Sequence, residues 1–447
     1  LSEPGLEGAR PARTLRGRAL RGSAIEVLAL GGGQALRLAS NLITTRLLFP
    51  EAFGLMALVG ILMQGLELLS DVGLQVSVVQ NRRGDERRFL DTIWTIQVVR
   101  GFALAGLAIL LAWPAAWLYD EPRLRSLLPV AAAGLVLGGF NSTALYSLRR
   151  HLELGRLALV ELASQSVAAI VTIGWAWVDP DVWALVAGGL ARGVVLLALS
   201  HALRVGGRNG FAWDAAAARD AFHFGKWIFG SSAFHFVARQ ADRLLLGRYI
   251  GMSGLGVYSI AVFLSEAFGD VATRLTHGVL FPALSAVHRS DRGRVPDAFY
   301  RARLPLDAGL QPALGFLAAA GSVVVGLLYD ARYAAAGWML QAFAGRVALY
   351  CLLTTWETCL FAVGQTRYGF FRSAARAVWI LVALPVGWTL AGLEGVVAAT
   401  ALSELPVLAV LLPAMRRHRL LRVGRELLAI AFFLAGAAFG GALVRLW

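Results

Sequence analysis

The sequence predicts an all-α polytopic membrane protein of about thirteen transmembrane helices, arranged as two pseudo-symmetric six-helix lobes with one further helix at the C-terminus. Three observations carry this. The 447 residues are 57% hydrophobic and only 16% charged, with a mean hydropathy of +0.64, and apolar runs long enough to cross a bilayer recur from end to end. Basic residues collect in alternate loops. The chain also echoes itself at an offset of 202 residues: Arg37 matches Arg239, Leu42 Leu244, Arg46 Arg248, Gly54 Gly256 and Leu62 Leu264.

The apolar runs place spans near 24–48, 53–80, 92–119, 127–148, 157–178, 182–203, 223–247, 254–286, 300–328, 336–363, 370–390, 392–414 and 426–446. The eighth and ninth are long enough to extend past the bilayer as surface helices. Arginines cluster in the N-terminal tail and in the loops near 82–88, 149–156, 204–219, 289–294, 367–372 and 416–425, whereas 49–52, 179–181 and 391–394 contain none. That alternation orients the N-terminus to the cytoplasm and thirteen spans put the C-terminus outside. The expected organisation is a basic tail over 1–23, an N-lobe over 24–203, a cytoplasmic inter-lobe loop over 204–222 containing Gly206, Gly207 and Gly210, a C-lobe over 223–414, and a basic loop with an additional span over 415–447. No small-residue cleavage site precedes the first span, so the tail is expected to be retained. Six spans separate the copies of the repeat, so both lobes start on the same side and are related by an axis along the membrane normal.

The net charge of +14 fits orientation signals between spans better than a nucleic-acid surface. Cys351 and Cys359 are eight residues apart in one predicted helix, about 12 Å at ~1.5 Å per residue, which excludes a disulfide between them. No metal cluster, HExxH, GxSxG or Walker-type loop is present, so no cofactor and no catalytic residue is expected, and transport has to draw on an ion gradient (H⁺ or Na⁺), the membrane potential or substrate turnover. The triplet Gly31, Gly32 and Gly33 lies inside an apolar run and reads as a packing feature.

Polar residues fall in stripes at helical spacing. The first span carries Gln34, Arg37, Asn41 and Thr44, and the second Gln64, Glu67, Asp71 and Gln75. The seventh carries Ser232, His235, Arg239 and Asp242 with Arg243 beside them, and the eighth Ser259, Glu266, Asp270, Thr273 and His277 with Arg274. A charge at midspan costs ~2.5–3.5 kcal/mol on insertion scales unless it faces protein or water. These four spans are therefore expected to line a polar path, with Arg239, Asp242 and Arg243 as either packing ion pairs or path residues. Arg46 and Arg248, near span ends, are expected to snorkel. Arg346, Tyr350, Thr354 and Glu357 of the tenth span, Gln97 and Arg100 of the third, Glu161 and Gln165 of the fifth, and Arg303, Asp307 and Gln311 of the ninth are further candidates; Arg100 and Arg303 read equally well as cytoplasmic-edge residues.

The runs RLLFPEAFGLMALVGILMQGLELLSDVGLQVSVVQ (46–80), GWAWVDPDVWALVAGGL (174–190), ADRLLLGRYIGMSGLGVYSIA (241–261) and LLYDARYAAAGWMLQAF (327–343) resemble bacterial polysaccharide-unit flippases, the Wzx-type branch of the multidrug/oligosaccharidyl-lipid/polysaccharide (MOP) exporter superfamily. The resemblance covers nearly the whole chain. It implies a V-shaped, multidrug-exporter-like pair of lobes in the bacterial inner membrane. It also implies translocation of an undecaprenyl-diphosphate-linked oligosaccharide by alternating access, with membrane lipids and polysaccharide polymerase machinery as partners. On this resemblance Arg37, Asn41, Arg239, Arg243, Arg274 and Arg346 are candidates for the anionic substrate. Glu67, Asp71, Asp242, Glu266, Asp270 and Glu357 are candidates for charge balance or ion coupling. A lipid II flippase and a drug or cation exporter of the same superfamily are the alternatives, though the many arginines count against the exporter. A membrane-embedded glycosyltransferase or ligase would need larger external loops.

Overall fold

The computed structural model describes residues 31–446 apart from 71–72, 152 and 204–206, with no side chains described over 220–235. The basic tail, the start of the first span, Asp71 and the side chains of Ser232 and His235 lie outside the described residues. Within them all regular structure is helical: α1 (31–47), α2 (Pro50–Leu69), α3 (Leu74–Gln80), α4 (Arg87–Leu118), α5 (Leu124–Phe140), α6 (Ala144–Arg150), α7 (Leu154–Val178), α8 (Trp183–Ala202), α9 (Ala215–Tyr249), α10 (Gly251–Leu275), α11 (Phe281–Ser290), α12 (Val295–Leu328), α13 (Ala336–Ala362), α14 (Arg367–Ala401), α15 (Leu405–Arg417) and α16 (Val423–Leu446).

Nine helical runs among the described residues are long and apolar enough to cross a membrane, ten if the bent pair α5–α6 forms one span. Three features separate this from thirteen. α1 is described only from residue 31. α9 carries Arg239, Asp242, Arg243 and Arg248 along its length. The run Arg367–Arg417 counts once, yet it reverses at Ala391 and Gly392, the latter at φ +55°, where a residue without Cβ is unstrained. The arms on either side touch: a Cβ on Gly395 would lie 1.9 Å from the carbonyl oxygen of Gly387, and one on Gly387 2.5 Å from that of Gly395. The long runs are also present. Gly251–Ser290, passing through a π-helical turn at Thr276–Leu280, has 40 residues and Arg292–Leu328 has 37, about 60 and 55 Å of helix against a ~30 Å hydrocarbon core.

The chain divides into two compact units. The first comprises the described residues up to Thr44, Ser70–Ala112 and Arg125–Ile228. Its α5–α6 bend of 58° exposes carbonyls that cannot go unpaired in a membrane. Gln97 of α4 supplies them: its Nε2 donates to the carbonyls of Gly138, Gly139 and Asn141 at 3.0–3.1 Å. Arg150 likewise closes the end of α3, donating to Val78, Val79 and Asn81 carbonyls and to Asp85. Residues 209–214 lie along this unit through Asn209 to Ser142 and Thr143, Gly210 to Asp91 and Asp214 to Arg83 at 2.7 Å.

The second unit comprises Thr45–Leu69, Trp113–Leu124 and Phe229–Trp447. Its α2 and α10 cross at glycines: a Cβ on Gly54 would meet the Met252 carbonyl oxygen at 1.8 Å, and a Cβ on Gly256 would meet that of Pro50 at 1.9 Å. Both glycines and their two contacts are related by the 202-residue offset (50 + 202 = 252, 54 + 202 = 256), so the crossing is reciprocal between equivalent halves of the repeat. α16 is joined to α12 in the same manner, Gly315 against the Phe433 carbonyl and Gly436 against that of Pro312, the small-residue packing that brings membrane helices into backbone contact. Polar groups pin the same pair. Glu426 accepts from Tyr300 (2.7 Å), Arg303 (2.8 Å) and Trp356 (2.8 Å), and fully buried Arg303 also pairs with Asp307 at 2.8 Å.

Candidate functional site

Within the second unit, α9, α10, α13 and α14 bring ionised side chains together. Glu266 of α10 is shared by three arginines: Arg239 at 3.1 Å and Arg243 at 3.8 Å from α9, and Arg346 at 3.3 Å from α13. Arg239 and Arg243 are one helical turn apart, so both reach the same facing carboxylate. Arg346 is buried, with its guanidinium 5.7 Å from the Phe343 ring. Around this centre, Arg376 of α14 pairs at 2.9 Å with Glu404, which is fully buried. Arg372 pairs with Glu357, donates to Thr354 at 3.1 Å and lies 5.1 Å from the Tyr350 ring. Tyr350 in turn bonds Thr273 at 3.0 Å.

Arg239, Glu266, Asp270, Arg346, Tyr350 and Arg376 line a cleft of ≈ 10 Å³, room for about one water. Five arginines (239, 243, 346, 372 and 376) gather with Glu266, Asp270, Glu357 and Glu404, and at the centre three of the arginines pair with Glu266. With little water to screen it, such an arrangement stabilises each carboxylate strongly and leaves guanidinium donors for an added anion.

The structure therefore gathers Arg239, Arg243, Arg346, Glu266 and Asp270 and places Glu357 beside them. Arg37 and Asn41 lie on α1 in the first unit, Arg37 exposed and Asn41 half-buried. Arg274 and Glu67 are exposed on α10 and α2. Asp242 is not the partner of its neighbouring arginines, which turn to Glu266 instead. It is buried and accepts a 2.5 Å hydrogen bond from Tyr258, while its Oδ1 has no hydrogen-bond partner among the described residues. Arg303 and Asp307 belong to the separate α12–α16 cluster, Arg100 bonds Ser70 at 3.0 Å, and Glu161 pairs with Arg192.

The spans at 370–390 and 392–414 correspond to α14 and its return arm, but sequence reasoning assigned α14 no site residue. Arg372 reads as a loop arginine that orients the next span, but it is half-buried and pairs with Glu357. Arg376 and Glu404 drew no notice because their partners lie on other helices. The available signal was the i, i+4 spacing of Arg372 and Arg376 at the start of an apolar run.

Residues 43–336 match the family described as polysaccharide biosynthesis protein. The chain is 25% identical over 353 residues to the succinoglycan biosynthesis transport protein ExoT of Rhizobium meliloti (strain 1021), covering 79% of this chain and 71% of that one. It is 21% identical over 366 residues to the lipopolysaccharide biosynthesis protein WzxC of Escherichia coli (strain K12), covering 81% and 73%. Among solved structures it is similar to the lipid II flippase MurJ in an inward closed conformation (TM-score 0.70, 11% identity, 93% of this chain and 98% of that one). It is also similar to an inward-facing MATE family transporter of the MOP superfamily (TM-score 0.67, 14% identity, 88% and 98%). At these identities the solved structures establish the shared fold.

Proposed function

The chain belongs to the polysaccharide biosynthesis protein family, and on that premise we propose that it is a multi-pass membrane transporter of the MOP superfamily that flips an undecaprenyl-diphosphate-linked oligosaccharide from the inner to the outer leaflet of the bacterial inner membrane. In this reading the N-terminus and the basic loops are cytoplasmic. The observation that carries the substrate class is the sharing of Glu266 by Arg239, Arg243 and Arg346. A diphosphate presents several acceptor oxygens, and each arginine can turn from the carboxylate to the anion with little loss of electrostatic energy. The cleft must widen to admit it, which alternating access supplies.

Two sources of drive are consistent with this arrangement. Each net negative charge carried outward down an inside-negative potential releases about 2.3 kcal/mol per 100 mV. Asp242, buried with one oxygen unpartnered beside Tyr258, is the residue proposed to take a coupling H⁺ or Na⁺.

The test is translocation of lipid-linked oligosaccharide by the purified chain in proteoliposomes under imposed potentials and ion gradients. Flipping that falls at least tenfold in Arg239→Ala and Arg346→Ala, with monodisperse protein in both, supports the reading. Undiminished flipping in both variants, or movement of small cations without any lipid-linked sugar, overturns it.

A further inference from the structure

A second feature of α14 lies on its other face and is independent of the transport cluster. An apolar groove of ≈ 750 Å³ runs between the first arm of α14 and α15, walled by Phe371, Ala375, Val378 and Val382 on one side and Pro406 and Val410 on the other. Its rim is exposed: Phe371 is 49% and Val378 63% accessible. From residue 371 to residue 382 is eleven steps, about 16 Å of helix, close to half of a ~30 Å hydrocarbon core. The groove is one leaflet deep.

Both walls end on arginine. Arg367 precedes Phe371 by four residues on the stripe 367, 371, 378, 382. Arg417 follows Val410 by seven residues on the stripe 406, 410, 417, so each arginine continues the groove-lining face of its helix. Both are exposed and neither forms an ion pair among the described residues; Arg367 rests 5.1 Å from the Tyr368 ring. The two converge on one place. His418, whose ring lies 6.1 Å from that of Tyr368, is held below the usual histidine range by burial and then by Arg367 and Arg417, and its Nε2 has no hydrogen-bond partner.

We propose that this groove is a binding site for an anionic glycerophospholipid of the leaflet on the basic-loop side, with the headgroup phosphate held by Arg367 and Arg417 and one acyl chain lying along Phe371–Val382. Charge complementarity selects the headgroup, and the depth of one leaflet fits an acyl chain better than a much longer polyprenyl chain. The site faces lipid rather than the Glu266 cluster, so it stands apart from the flippase reading.

Native mass spectrometry of the delipidated full chain, titrated with phosphatidylglycerol and with phosphatidylcholine of the same chains, tests it. One phosphatidylglycerol is expected to be retained roughly tenfold or more over phosphatidylcholine, since each of two arginines favours an anionic headgroup. Arg367→Gln with Arg417→Gln should abolish the preference, and Ala375→Trp, which fills the groove, should lower retention of both lipids at this site. Equal retention of the two lipids by the wild type, or an unchanged preference in the double variant, overturns the proposal. So does undecaprenyl diphosphate displacing phosphatidylglycerol at equal concentration, which would make the groove part of the substrate's path. If Ala375→Trp fails to fold, the exposed arginine pair decides the outcome.

Discussion

The two copies of the repeat carry the same arginine in different company. Arg239 of the second copy pairs with Glu266 and shares that carboxylate with Arg243 and Arg346. In the first copy Arg37 is exposed on α1, and the positions 202 residues before Glu266 and Arg243 hold Gln64 and Asn41. Gln64 is neutral and accepts a 2.6 Å hydrogen bond from Gln240. The reciprocal Gly54–Gly256 crossing keeps the repeat's geometry, while the charge has been concentrated in one copy. A conserved crossing needs equivalent backbones, whereas an anion site needs only one dense cluster, so the two properties are free to diverge.

The largest expected effect comes from taking away the shared carboxylate. Glu266→Gln leaves three arginines without their common counter-charge, and breaking these half-buried pairs costs up to about 3 kcal/mol, the lower end for buried ion pairs. Loss of a monodisperse peak or a large fall in Tm is expected. Arg239→Ala, in contrast, leaves Glu266 paired with Arg243 and Arg346, so it should lose transport while keeping its Tm within a few degrees. If Glu266→Gln is as stable as the wild type, the cluster is not the electrostatic unit described here.

Next in size is the crossing. Gly256→Leu sets a side chain against the Pro50 carbonyl, already 1.9 Å from where a Cβ would stand, and Gly54→Leu does the same against Met252. Each should cost about 1–3 kcal/mol as overpacking. Because the contact is reciprocal, the two variants should resemble each other in Tm and in transport. A large effect from one and none from the other would show that the crossing does not share the symmetry of the repeat.

Much of this was legible in the chain. The helical fold and an arginine stripe on the seventh span follow from apolar runs and the offset of 202. Periodicity shows which residues share a face, and so it found Arg239, Glu266 and Arg346. It cannot show which faces meet. Arg243 turned to Glu266 rather than to adjacent Asp242, and Arg372 and Arg376 paired with Glu357 and Glu404, residues 15 and 28 positions away. Nor could it show that the polar stripe of the first span would leave Arg37 exposed, since a stripe is the same string of letters whether it faces a cluster or solvent.

A milder variant probes the asymmetry itself. Gln64→Glu places a carboxylate where the repeat's second copy has one, beside Gln240, whose Oε1 lies 3.2 Å from Arg243. It should draw Arg243 from Glu266 and lower the anion's affinity by about 1 kcal/mol, roughly fivefold, at the partial screening of this exposed position. A raised KM with an unchanged maximal flipping rate is the expected signature.

The smallest effect lies in the first unit, far in character from any transport chemistry. Arg83 beside Asp214 holds its carboxyl below the usual carboxylate range, so the attachment of residues 209–214 is complete above that ordinary range. It weakens only as the pH falls through the depressed value. Asp214→Asn removes this pH dependence and leaves Asn209 and Gly210 still bonded to Thr143 and Asp91. Limited proteolysis within 209–214 should therefore rise a few-fold in the wild type on acidification and rise less in the variant, because a surface ion pair contributes little. Equal acid sensitivity in both would assign it instead to Asp91, the other carboxylate that holds this segment, through the Gly210 N–H.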